Sequence, residues 1–164
     1  IFFRTTMATG EAAVFDALFA ELAEKFRAED GWEARQEEPP QAYLHVSRPS
    51  WGDENLNGIH IETYVLSRQL AERRAPVALH CERGCPFQPK FMQLFTQRAA
   101  AEIKSWPGDY AILGDLKGSS SICEVSVPFA ETPAKTVEKL KGEVQRLQKL
   151  ACLIDETIAD CTGR

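Results

Sequence analysis

Hydrophobic positions along the chain follow two rhythms, one of three to four residues and one of two, and their alternation outlines a fold. Phe15, Leu18, Phe19, Leu22 and Phe26 recur at helical spacing. With Thr9 as an N-cap and Gly31 as a left-handed stop, this pattern predicts a helix over residues 10–29. Trp32 to Gln36 then reads as a short strand, ended by Pro39-Pro40. Tyr43 to Ser47, Ile59 to Val65 and Val77 to Glu82 alternate with period two and are rich in β-branched or aromatic residues, so they predict three more strands. Their connections, Arg48 to Gly58 and Leu66 to Pro76, are short, which favours antiparallel pairing; the second has room for a helical turn around Leu70 and Arg73.

Pro89 opens a second helix over residues 89–105, with Phe91, Phe95, Ala99 and Ile103 at four-residue steps. Tyr110 to Leu113 and Ile122 to Val127 form a further hairpin around the Gly114 to Ser120 turn. Thr132-Pro133 then caps a last helix that runs to about residue 161. The resulting order, α-β-β-β-β-α-β-β-α, predicts a single α+β domain over residues 1–164. Five to six largely antiparallel strands carry helices on one face. The last helix holds Val137, Leu140, Val144, Leu147, Ala151, Ile154 and Ile158 in a 3.5-residue seam. At roughly 42 Å it outruns the diameter of such a domain. We therefore expect a homodimer, or contact with another protein partner, through this association helix.

Alternation also sorts side chains by face. Leu44, Val46, Ile59, Ile61, Val77, Leu79, Cys123 and Val125 form the apolar set, so Tyr43, His45, His60, Glu62, Tyr64, His80, Glu82 and Glu124 project to the other side. All three histidines of the chain fall there. The frames His60-Ile61-Glu62 and His80-Cys81-Glu82 on consecutive strands bring imidazoles and carboxylates within cross-strand reach. Those donors suit zinc or another divalent ion, and an adjoining carboxylate can serve as base toward a bound water. The same groups, with Tyr43 and Tyr64, can instead hydrogen-bond a small polar ligand.

Composition narrows the setting. Hydrophobic residues at 44% and charged residues at 26% are those of a globular protein. The net charge of −5 disfavours nucleic acid, although Arg68, Arg73, Arg74, Arg83 and Lys90 leave room for a local basic patch. The acidity is concentrated in residues 1–66, with 5 basic against 12 acidic side chains. No apolar run is long enough for a membrane span, and five irregularly spaced cysteines point to a reducing, cytoplasmic setting. Cys81 and Cys85 form a C-x3-C pair without the second pair that a structural zinc site requires.

The order helix, three strands, helix, strand is similar to the core of restriction-type nucleases, whose metal chemistry uses a Glu/Asp-x-Lys element. Leu79-His80-Cys81-Glu82-Arg83 occupies the corresponding place and lacks the lysine, so the likeness is one of element order and carries no nuclease assignment. No glycine-rich phosphate loop and no Gly-x-Ser-x-Gly elbow occurs. The sequence thus leads to two expectations. One is a small ligand- or protein-binding module that self-associates. The other is a divalent-metal-binding protein or metal-dependent hydrolase built on His60, Glu62, His80 and Glu82.

Overall fold

In a computed structural model, which describes residues 2–37 and 41–163 and the backbone alone of residues 2–9, six antiparallel strands form one sheet in the order β1-β2-β3-β4-β6-β5. The strands are β1 (Glu33–Gln36), β2 (Tyr43–Ser47), β3 (Ile59–Tyr64), β4 (Arg74–Cys81), β5 (Ala111–Ile112) and β6 (Ser121–Pro128). Helices α1 (Phe2–Arg27) and α4 (Pro133–Gln148) lie against strands of the sheet, while α3 (Gln88–Ser105) pairs with α5 (Ala151–Thr162). A short α2 (Ser67–Glu72) links β3 to β4. The α+β class and the antiparallel sheet are as the alternation predicts. Pro39-Pro40 lies outside the described residues.

Four features differ in detail from the pattern-based expectation. The first helix begins well before Thr9, at Phe2. A residue able to cap does not force a start when the residues before it are not helix breakers. β4 begins at Arg74 rather than Val77, taking in Pro76. Its pairing with β3 ends at Val77, so the proline sits where one side of the strand needs no amide donor.

The third difference is in β6. A register shift between Leu79 and His80 sets Ser121, not Ile122, across from His80, while Cys123 stays opposite Leu79. Such bulges re-aim side chains locally. Fourth, the carboxy-terminal helix is two helices. The amides of Lys149 and Leu150 bond three residues back, to Arg146 and Leu147, tightening the chain there. The break lets one apolar stripe serve two surfaces, α4 on the sheet and α5 on α3.

That stripe is buried within its own chain. Leu140, Val144, Leu147 and Ile154 are fully enclosed, Val137 and Ala151 nearly so, and Ile158 is partly covered. The seam that suggested a dimer is thus the inner face of the fold. It joins Phe15, Phe19, Phe26, Ile61, Leu79 and Phe95 in one continuous core.

Candidate metal centre

On the face away from α4, cross-strand register determines what meets what. His45 stands opposite Glu62, and His60 opposite His80. Glu62 faces Ala78, whose small side chain leaves the carboxylate free to turn toward the imidazoles. The rings form a row. His45 and His60 have centroids 4.2 Å apart, His60 and His80 5.5 Å, and Tyr43 stacks at 5.2 Å on the outer side of His45.

Glu62 is the hub of this row. Its Oε1 lies 3.2 Å from His80 Nε2, and its Oε2 lies 3.5 Å from His60 Nε2 and 3.9 Å from His45 Nε2. Tyr43 donates its hydroxyl proton to Oε2 at 2.8 Å. Glu82 Oε1 approaches His60 Nε2 at 3.6 Å and accepts from His80 Nδ1 at 3.1 Å. A tetrahedral ion with bonds of about 2.0–2.1 Å holds its donors about 3.3 Å apart, so these separations suit donors around one ion. Two triplets have ligand atoms mutually within 4.8 Å: His45, His60 and Glu62, and His60, His80 and Glu82.

The far nitrogens are also placed by carboxylates. Asp53, from the connection between β2 and β3, accepts from His60 Nδ1 at 2.9 Å and presents its other oxygen to His45 Nδ1 at 3.8 Å. Because a carboxylate only accepts, the His60 proton sits on Nδ1, and Nε2 keeps its lone pair toward Glu62 and Glu82 when the ring is neutral. This carboxylate-imidazole arrangement orients ligands behind metal ions. Asp53 is fixed in turn by the Gly58 amide at 3.1 Å, and its backbone carbonyl accepts from Arg35 at 2.9 Å. The connection closes tightly, for a Cβ at Gly58 would collide with the Gly52 carbonyl.

Burial makes the centre electrostatically demanding. His60 is 0% exposed, Asp53 3%, His45 5% and Glu62 6%. Neither ring nitrogen of His45 has a hydrogen-bond partner, and His60 Nε2 has none. Burial opposes the charge on Asp53, yet the nearby His45 imidazole and the hydrogen bond from His60 hold its carboxyl down at about 2. Burial likewise opposes charge on Glu62, but the His60 and His80 imidazoles and the Tyr43 hydroxyl hold it down at about 2. On His60 desolvation is outweighed by the hydrogen bond to Asp53 and the nearby Glu62 carboxylate, which raise the imidazole to about 9. Burial and the facing Glu62 push the Tyr43 hydroxyl well above its ordinary range. The cluster calls for positive charge beside Glu62, as a proton or as a cation.

The structure brings together Tyr43, His45, His60, Glu62, His80 and Glu82. Tyr64 stacks on Tyr43 at 4.7 Å, at the edge of the group. Glu124 shares the face but stands apart, lining a small hollow with Tyr64, Arg68 and Arg74. The basic patch is partly neutralised, since Arg68 pairs with Glu72 and Arg73 with Glu11. Cys81 and Cys85 are buried and free; a hydrogen bond to Cys85 and desolvation hold the Cys81 thiol protonated. Pattern reasoning missed Asp53 and the approach of Glu37 to His45 Nε2 at 3.9 Å. Neither lies on a strand, so no periodicity marks them; an aspartate in a Gly- and Asn-containing connection between two histidine-bearing strands was the available signal.

Among the described residues, no helix is long and apolar enough to cross a membrane. Compared with known protein families, with curated proteins and with solved structures, the chain finds no match.

Proposed function

We propose that this chain binds a divalent cation of the zinc class at His45, His60 Nε2 and Glu62, whose ligand atoms lie within 4.8 Å of one another, with His80 Nε2 beside Glu62 at 3.2 Å. One observation carries the reading. His60 is wholly buried, its Nδ1 is committed to Asp53, and its Nε2 has no hydrogen-bond partner while facing two carboxylate oxygens. Buried polar atoms left in that condition cost free energy, and an ion at this point removes the cost for His60 and the carboxylates together. The self-association expected of a binding module rested on the 3.5-residue seam of the last helix, and those side chains are enclosed within the chain.

The test is direct. Purified protein is expected to carry, or take up on titration, one equivalent of zinc or cobalt, and a His60→Ala/His80→Ala variant loses it. Absence of metal by elemental analysis, together with no calorimetric or spectroscopic response to zinc, cobalt or manganese, overturns the reading.

Uneven burial favours hydrolysis as the role of such a centre. The Glu82 side chain is 29% exposed and that of His80 18%, against 7% or less for His45, His60 and Glu62, so the centre has one wet side. Glu82 lies there, placed to take a proton from an attacking water. A zinc-loaded protein that hydrolyses model esters or phosphodiesters, and a Glu82→Gln variant that binds zinc but does not, is the expected pair of results. Equal turnover by both removes Glu82 from this role.

A further inference from the structure

The second concentrated feature of the molecule is a groove between α3 and the connection from β5 to β6. Its volume, about 920 Å³, is that of a small-molecule site. The chain as a whole is acidic, at −5. The groove inverts that sign, for Arg83, Lys104 and Lys117 line it against Asp115 alone. Among the described residues none of these three cations has a carboxylate partner, in contrast to Arg48, Arg73 and Arg98 elsewhere on the surface.

One end is built to meet an anion. Arg83 donates to the Gly118 carbonyl at 2.7 Å, which fixes its guanidinium against the wall beside Lys117 and leaves further N–H groups free. Gln88 holds the neighbouring strand ends together through the carbonyls of Cys81 and Ser119, and it begins α3, whose positive end adds to the field. Deeper in the groove, Thr96 is 6% exposed and its hydroxyl has no partner. Gly114 stands against that hydroxyl, where a Cβ would collide with it. The rest of the lining is mixed, with Gln93, Gln97 and Ser119 among apolar side chains. Met92 and Ile112 contribute to it, and Leu116, at 58%, is one of two large apolar side chains left exposed among the described residues.

We propose that this groove binds a nucleotide-sized organic anion, with its charged end on Arg83 and Lys117 and its apolar body on Met92, Ile112 and Leu116. A small anion responds to the local cations, since fields beyond about 8–10 Å are screened at physiological salt. A polyanionic chain would meet the acidity of the remaining surface, so a monomeric ligand is the better match.

ATP, adenosine and pyrophosphate serve as probes, titrated into the intact chain with EDTA present to remove any metal bridging at the imidazoles. The readouts are the backbone amides of Gly114 and Gly118 and the methyl signals of Leu116. ATP is expected to shift them saturably at up to millimolar concentration, and adenosine and pyrophosphate each to bind more weakly. An Arg83→Gln/Lys117→Gln variant is expected to lose about tenfold in affinity, or more, with an unchanged far-UV spectrum, both side chains being exposed. Absence of saturable shifts, shifts confined to the histidines, or undiminished binding by the double variant overturns the proposal. Pyrophosphate binding as tightly as ATP also overturns it, because the apolar wall would then contribute nothing.

Discussion

On the helix side of the sheet Leu44, Ile61, Leu79 and Cys123 are fully buried among neighbours that require only matched volume. On the opposite side His45, His60 and Glu62 are almost as deeply buried among groups that each require a proton, a partner or an ion. The same strands supply both. The difference lies in what burial costs. An apolar side chain gains about 1.5–3 kcal/mol on leaving water. A charged or hydrogen-bonding group loses its hydration and must recover it from groups placed to within a few tenths of an ångström. The apolar face therefore supplies stability, and the polar face is a region where stability is given up for placement, as at sites that bind or react.

The largest effect expected from this contrast is at Leu147, fully enclosed in α4. A Leu147→Asp substitution puts a carboxylate with no partner into the core. Its cost of several kcal/mol is comparable with the roughly 5–15 kcal/mol that holds an ordinary domain together. Loss of the cooperative thermal transition is the predicted outcome, read by circular dichroism. A variant that stays folded while its solution mass falls would instead mean that the stripe is an interface between copies.

How much of this the sequence disclosed depends on whether a feature repeats. Strands β2, β3 and β4 were legible because period-two alternation is strong, and alternation alone put His45, His60, His80 and Glu62 on one side. Asp53 was not legible, since the chain around it is irregular and its role depends on how far that connection folds back over β3. The division between α4 and α5 has neither Gly nor Pro to mark it. Its trace was the broadening of the stripe at Leu150 and Leu153, which reflects a change of neighbours from the sheet to α3. The bulge beside His80 left no trace, because Ser121 and Ile122 both suit a strand and only three-dimensional pairing decides which is the extra residue.

An effect of up to two orders of magnitude is expected from pH. His60 is surrounded by Asp53, Glu62 and Glu82, with His45 and His80 on either side, and its imidazole titrates at about 9. A metal ion must displace that proton, so apparent zinc affinity is expected to rise about tenfold per pH unit from 7 to 9 and then level off. Metal-free protein behaves oppositely. A folded-state pKa raised above 6.5 gives stabilisation that is complete below 6.5 and is lost as pH rises through about 9. Asp53 and Glu62, both lowered to about 2, contribute stability above their ordinary values of 3.8 and 4.5 that disappears as pH falls through about 2. Thermal midpoints measured against pH with and without zinc are thus expected to diverge above neutrality. Parallel curves would detach His60 from the metal.

The smallest effect tests how the polar face is held. Asp53 has no helix or strand of its own, and the connection bearing it is gripped from two sides. Arg35 binds the Asp53 carbonyl, and Asp155 of α5 accepts from Trp51 Nε1 at 2.9 Å and from Arg48 at 3.0 Å. Trp51 is wholly buried, so in an Asp155→Ala variant its indole N–H is left without an acceptor, at a cost of about 1–3 kcal/mol. The connection can then shift, and with it the carboxylate that sets the His60 tautomer. Removing a direct orienting partner of a metal ligand lowers affinity about 10–100-fold, and an effect relayed through Trp51 should stay at or below the lower end of that range. Calorimetric zinc titration of Asp155→Ala beside Ser50→Ala, whose hydroxyl makes only a 3.4 Å contact to Asp155, separates this from a general loss of stability. If Asp155→Ala lowers the melting temperature and leaves zinc affinity intact, Arg35 and the Gly58 amide suffice to fix Asp53, and the carboxy-terminal helix belongs wholly to the apolar side of the molecule.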